Sequence, residues 1–230
     1  MLVRRTASAS AAAPSRSLGS LASLGAVRAL VILLASVVVA AGLVAGEAQA
    51  TKRKPLHFTF VGDSVPDAIT YVSAARRRLT RGFVVRLDLR VCRRLVTPSC
   101  SFQGSAPSTA LAAIQSLGSG LGDVLVVDVG YNEGHVGYGA GINRVMRAAH
   151  AQGAAGVVWV TLRETRDLYR QTNAVIRRAA KRWATLRVAD WNAFSSGRSW
   201  FASDGLHLTP TGATALAGFL RPHILRAGGR

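Results

Sequence analysis

One run constrains the fold of this chain more than any other: Asp123-Val124-Leu125-Val126-Val127-Asp128-Val129. It does not alternate polar with apolar, so it does not suit a strand with one wet face. A near-continuous Val-rich run of this length suits a parallel strand covered on both sides. Parallel neighbours need long crossovers, usually helical, and the rest of the chain supplies them. Short apolar runs at Phe58–Val61, Phe83–Leu89, Gly156–Thr161 and Leu186–Asp190 predict four more strands. Between and after them, helical patterns cover Asp67–Leu79, Ser108–Leu117, 141–152, Thr172–Trp183 and Pro210–Leu225. Thr209 as N-cap and Pro210 at the first helical position mark the start of the last helix. The alternation predicts an α/β fold: a five-stranded parallel sheet between two helical layers. The sequence contains no internal repeat and no second domain.

A sheet of this kind binds ligands at the carboxyl edge of its strands. Three polar segments, far apart in sequence, fall on that edge. Gly62-Asp63-Ser64 ends the first strand just before a helix, so its hydroxyl lies near backbone N–H groups that favour negative charge. The plainer alternative is a tight turn whose polar residues cap the helix. Asn132 follows the third strand, and Asp204 and His207 lie between the fifth strand and the last helix. A hydroxyl, an amide, a carboxylate and an imidazole are the parts of acyl-transfer chemistry. In those roles Ser64 attacks an ester carbonyl, and His207 takes its proton and returns it to the leaving alcohol. Asp204 fixes the imidazole through Nδ1. The Asn132 amide and the Ser64 backbone N–H stabilise the oxyanion.

Gly62-Asp63-Ser64, Gly130-Tyr131-Asn132-Glu133 and Asp204-Gly205-Leu206-His207 resemble the first, third and fifth sequence blocks of the GDSL/SGNH hydrolase superfamily. The resemblance in order and spacing spans residues 57–225. It implies a three-layer, flavodoxin-like α/β/α fold with esterase, lipase, carbohydrate deacetylase or acyltransferase activity and no cofactor. The third block usually ends in Asp, where this chain has Glu133. The family's second block supplies a Gly whose N–H is a third oxyanion donor. Gly104 is the favoured candidate here, and the backbone near Cys92, directly after the second strand, is the other.

The beginning of the chain predicts export. Arg4, Arg5, Arg16 and Arg28 precede an apolar run from Ala29 to Val44, and Ala48-Gln49-Ala50 has the small-x-small pattern of a cleavage site. Residues 1–50 therefore read as a signal peptide, with an uncleaved anchor as the alternative, and 51–230 as the hydrolase domain. The location expected is the cell envelope or beyond it. Cys92 and Cys100, in an oxidising compartment, predict a disulfide around one loop. No further His or Cys lies close enough in sequence to make a metal site.

The formal net charge is +18, and residues 51–230 keep 25 basic against 10 acidic residues once Arg4, Arg5, Arg16, Arg28 and Glu47 are set aside. The arginines do not interleave with aromatics as a nucleic-acid stacking surface requires. Anionic envelope polymers or a membrane surface are the expected partners besides a small-molecule or glycan ester. An Arg-rich genome explains the charge equally well. A monomer is expected. A Gly-x-Ser-x-Gly elbow is absent. The glycines at 118–122 and 137–141 lack dinucleotide spacing and read as connectors. Tyr131 and residues 134–141 are candidates for an acyl or alcohol pocket, and Glu164 and Asp167 for a solvated loop. The leading expectation is an exported serine esterase. An acyltransferase using the same residues, or a cationic envelope-binding module with a vestigial site, are the alternatives.

Overall fold

A computed structural model describes residues 54–230; the leader expected over residues 1–50 lies outside them. Five strands form one parallel sheet: β1 Leu56–Gly62, β2 Phe83–Leu89, β3 Val124–Asp128, β4 Gly156–Val160 and β5 Leu186–Ala189. Their order across the sheet is β2-β1-β3-β4-β5. The chain steps one way from β1 to β2 and the other way from β3 onward. A crevice therefore opens beyond the carboxyl ends of β1 and β3, where such sheets bind ligands. The register aligns those ends, with Gly62 opposite Leu89 on one side and Asp128 on the other.

Seven helices accompany the strands among the described residues: α1 Ala68–Tyr71, α2 Ser73–Thr80, α3 Ala110–Leu117, α4 Tyr138–Ala151, α5 Asp167–Ala180, α6 Trp191–Phe194 and α7 Pro210–Ala227. One core layer packs Phe58, Phe60, Val126 and Val158 against Ile69, Leu79, Leu216 and Leu220 of α1, α2 and α7. The other packs Val61, Leu125, Val127 and Trp159 against Ile114, Ile142, Val145 and Ile176 of α3, α4 and α5. Every residue of β3 and β4 is buried. Their non-alternating sequences follow from that two-sided cover.

Several boundaries differ from the sequence pattern, among them the start of α4 at Tyr138, inside the glycine stretch expected as a connector. The helix expected over Asp67–Leu79 breaks at Val72, whose ψ of 98° is extended. Thr70 Oγ1 donates to the Asp67 carbonyl at 2.7 Å and closes α1 as a separate turn, and the β-branched and aromatic run Ile69-Thr70-Tyr71-Val72 favours that break. Helix α5 starts at Asp167 rather than Thr172, because Asp167 accepts from Arg170 and Gln171 and secures a polar first turn. Gly118–Leu121 continues α3 as a 3-10 turn. At α7 the expected cap holds: Thr209 Oγ1 accepts from the Gly212 N–H at 3.2 Å, with Pro210 following.

Candidate active site

The turn after β1 must be narrow. A Cβ at Gly62 would lie 2.5 Å from Pro66 Cγ and 2.7 Å from Leu89 Cδ2, so glycine alone lets β1 and β2 end side by side. Asp63 follows and is fully buried. It does not merely cap a helix. Its Oδ1 accepts from the Val65 N–H at 3.1 Å, and its Oδ2 accepts from Gly130 and Tyr131 N–H at 3.1 and 3.2 Å. One carboxylate thus ties the loop after β1 to the loop after β3. Burial pushes its carboxyl up to about 6, against the pull of those three donors. Asp128 lies beside it, and neither of its oxygens has a hydrogen-bond partner among the described residues. Burial, reinforced by the charge of Asp63, holds the Asp128 carboxyl well above the usual range. The pair therefore keeps its negative charge on Asp63, where the donors are.

Ser64 stands next in the chain, partly exposed. Its Oγ lies 3.0 Å from His207 Nε2, across 143 residues of sequence. On the far side of the ring, His207 Nδ1 lies 2.6 Å from Asp204 Oδ2. The other carboxylate oxygen accepts from the backbone N–H groups of Leu206 and His207 at 2.8 and 3.0 Å. The His207 side chain, followed by these backbone donors, holds the Asp204 carboxyl down to about 2. Asp204 is therefore an ionised acceptor at any ordinary pH. Two intervening residues are enough for this turn because Gly205 takes φ +69°. The turn is held from outside: Arg163 donates to the Gly205 carbonyl and lies 3.6 Å above the Phe201 ring. The Arg163 N–H in turn donates to Tyr131 Oη at 2.7 Å.

The Asn132 amide donates one N–H to the Arg93 carbonyl at 3.2 Å. Its second N–H has no acceptor among the described residues. The segment it touches follows β2 directly and is tightly anchored. Arg93 is 1% exposed, and its guanidinium donates to the Asp88 carbonyl at 2.5 Å, to Asp88 Oδ1 at 3.1 Å and to the Ser108 carbonyl at 3.1 Å. Glu133 Oε1 accepts from the Leu95 N–H at 2.5 Å, closing the same segment against the loop after β3. Burial raises the Glu133 carboxyl to about 7. Cys92 and Cys100 form the expected disulfide, and Cys92 sits at φ +68°, a left-handed conformation that favours glycine.

Gly104 stands at the exposed tip of a turn closed by Phe102 and Ser105, and a Cβ there would meet nothing within 4 Å. No hydrogen bond links it to Ser64 or Asn132. The Arg93 carbonyl, directly after Cys92, is the part of the second loop that reaches Asn132. Glu164 and Asp167 bear on the fold instead: Glu164 accepts from Asn173 Nδ2 at 2.9 Å, and Asp167 pairs with Arg170. Tyr131 borders a cleft beside Asn132, together with Gly134 and Val136 from the expected 134–141 stretch. The sequence reading missed Arg93, Asp63 and Arg163 as supports of the site. An Asp at the end of each of two neighbouring apolar strands was a signal for the buried pair, whereas nothing distinguished Arg93 from its basic neighbours.

No known family profile and no curated protein matches the sequence. Solved structures do match its fold. TesA superposes with a TM-score of 0.56 at 16% identity, covering 75% of this chain and 99% of TesA. A carbohydrate acetylesterase family member from Sinorhizobium meliloti gives 0.57 at 16%, covering 76% and 100%. The psychrotrophic esterase EstA from Pseudoalteromonas sp. gives 0.55 at 12%, covering 74% and 96%. Residues 54–230 thus share the three-layer α/β/α fold of these structures.

Proposed function

We propose that the chain is a serine ester hydrolase working through Ser64, His207 and Asp204. The observation that carries this reading is the row Asp204 Oδ2–His207 Nδ1 and His207 Nε2–Ser64 Oγ, at 2.6 and 3.0 Å. Both distances are of hydrogen-bonding length, so nucleophile, base and orienting carboxylate are in sequence. Ser64 donates its proton to His207 Nε2 as Oγ attacks the carbonyl carbon. The negative charge that develops on the carbonyl oxygen is met by the free N–H of Asn132 and the Ser64 backbone N–H. The Cys92 N–H is the third donor in this account. His207 passes the proton to the departing alcohol, and water then repeats the sequence to release the acid. The fold shared with esterases agrees with this chemistry.

The openness of the site favours hydrolysis over transfer of the acyl group to a sugar hydroxyl. The side chains of His207 and Asp204 are 47% and 48% exposed, and transfer requires water to be kept out. One structural neighbour is named as a carbohydrate acetylesterase, which makes acetyl esters of glycans the first natural substrates to try. The disulfide suits export to an oxidising compartment, and no helix among the described residues is long and apolar enough to cross a membrane. The test is turnover of p-nitrophenyl esters of graded acyl length. Ser64→Ala should lower kcat on the order of a thousandfold or more with an unchanged circular dichroism spectrum. A variant that retained turnover would refute the assignment.

A further inference from the structure

Beside Asn132 opens a cleft of ≈ 550 Å³, with Arg94 and Arg166 on its walls. Neither guanidinium forms an ion pair among the described residues. Arg94 Nε has no hydrogen-bond partner among the described residues, so no contact within the chain holds that edge of the guanidinium. Arg166 sits at the N-cap of α5, where its carbonyl accepts from the Tyr169 N–H at 3.0 Å. Its backbone is therefore fixed while its exposed side chain faces the cleft over Tyr169. Glu133 is the one acid on this wall; it is attracted by Arg94, but a single carboxyl cannot neutralise two guanidinium groups. Its Oε1 is engaged by the Leu95 N–H, and burial keeps much of it protonated near neutral pH.

The cleft on the opposite side of the loop gives the contrast. There Arg90 and Arg93 both bond to Asp88 and Asp67 lines the same cleft, so two cations face two carboxylates. The Asn132 cleft has no such balance. Because Asn132 lines it, a group seated there belongs to the same molecule as the carbonyl whose oxygen Asn132 receives. We propose that Arg94 and Arg166 form a substrate subsite for an anionic group, a carboxylate or a phosphate carried on the ester, so that the enzyme selects anionic over neutral esters. This inference rests on the ester hydrolase reading above. Planar guanidinium groups hold such oxyanions through paired N–H donors, which a lysine does less well.

The experiment compares kcat/KM for 4-acetoxybenzoate and 4-acetoxyphenyl phosphate with that for methyl 4-acetoxybenzoate, a neutral ester of the same size. The background rate of each is subtracted. At low salt the charged esters should be favoured about tenfold, mainly through KM, and the preference should shrink as salt is raised. The two charged esters separate a carboxylate site from a phosphate site. Arg166→Met should reduce the preference by about five- to tenfold, and Arg166→Lys by less. Arg94→Met should act in the same way; if it fails to fold, the exposed Arg166 decides the matter alone. Hydrolysis of the neutral ester with no preference in the wild type, or a preference untouched by Arg166→Met, overturns the subsite alone. Failure to hydrolyse any of the three overturns the subsite together with the reading it rests on.

Discussion

Replacing Arg93 with Met tests how the segment after β2 is held against the active site. The substitution keeps length and apolar volume but removes three hydrogen bonds, to the Asp88 carbonyl, Asp88 Oδ1 and the Ser108 carbonyl. The carboxylate loses least, since the Asp88 side chain is 24% exposed and keeps Arg90 at 3.2 Å. Ser108 is exposed, so water can replace part of its lost bond. The Asp88 carbonyl loses a charge-assisted bond and keeps only what the β1–β2 ladder supplies. With about 1.5–3 kcal/mol for a hydrogen bond from a charged group, and a smaller amount for the other two, the total is about 2–4 kcal/mol. For a domain of this size that lowers the melting temperature by about 5–15 °C. It leaves the protein folded, because domain stabilities are about 5–15 kcal/mol. The same change frees the Arg93 carbonyl, which orients the Asn132 amide. kcat should therefore drop at least about tenfold, a fraction of what a lost oxyanion donor costs. Urea unfolding and ester kinetics on Arg93→Met, Arg93→Lys and the wild type give both numbers, with the lysine variant falling between the others. A methionine variant within about 0.5 kcal/mol of wild type and unchanged in kcat would refute this account of the loop.

Glu133→Gln preserves an oxygen that can accept from the Leu95 N–H but removes an acid whose carboxyl is raised from 4.5 to about 7. A raised acid contributes stability fully below its unfolded value and loses it as pH rises through the folded one. The glutamine variant should therefore gain on the wild type between about pH 4.5 and 7, read from urea midpoints; a difference that stayed constant over that window would contradict the burial of Glu133. Opening the Cys92–Cys100 bond with reductant should cost about 2–3 kcal/mol for so short a loop. It should also lower kcat, because the bond holds Cys92 in its left-handed turn; melting curves and ester turnover with and without reductant measure both.

Much of this architecture was legible because burial on both faces of a sheet writes itself as unbroken apolar runs. The central strands β3 and β4 follow from that regularity, while the partly exposed edge strands β2 and β5, broken by Arg86, Asp88 and Arg187, read as strands from their Val and Leu content; Ser64, Asn132, Asp204 and His207 then fall at the carboxyl edge. What stayed hidden depends on contacts between loops. Asp63 looks like a turn residue in sequence, yet its second oxygen reaches Gly130 and Tyr131, 67 and 68 residues away. Cys92 adopts a backbone angle that its residue type does not advertise. Arg93 and Arg94 are adjacent and chemically identical, but one is paired inside the loop and the other lines the cleft beside Asn132. Helix starts such as Asp167 were missed because a polar first turn carries no apolar period.

The central claim is that Ser64 is a nucleophile activated by His207, and covalent capture tests it without knowledge of the natural substrate. One neighbour in fold is named as inhibited by monoethylphosphonate, so an activated alkylphosphonate ester is the natural probe. Mass spectrometry of the digested adduct should place one phosphonyl group on the peptide containing Ser64. Ser64→Ala should take up no label, and His207→Ala should take it up at a small fraction of the wild-type rate, because the hydroxyl has lost its base. An adduct on a different serine, or labelling of Ser64→Ala at the wild-type rate, would contradict the claim.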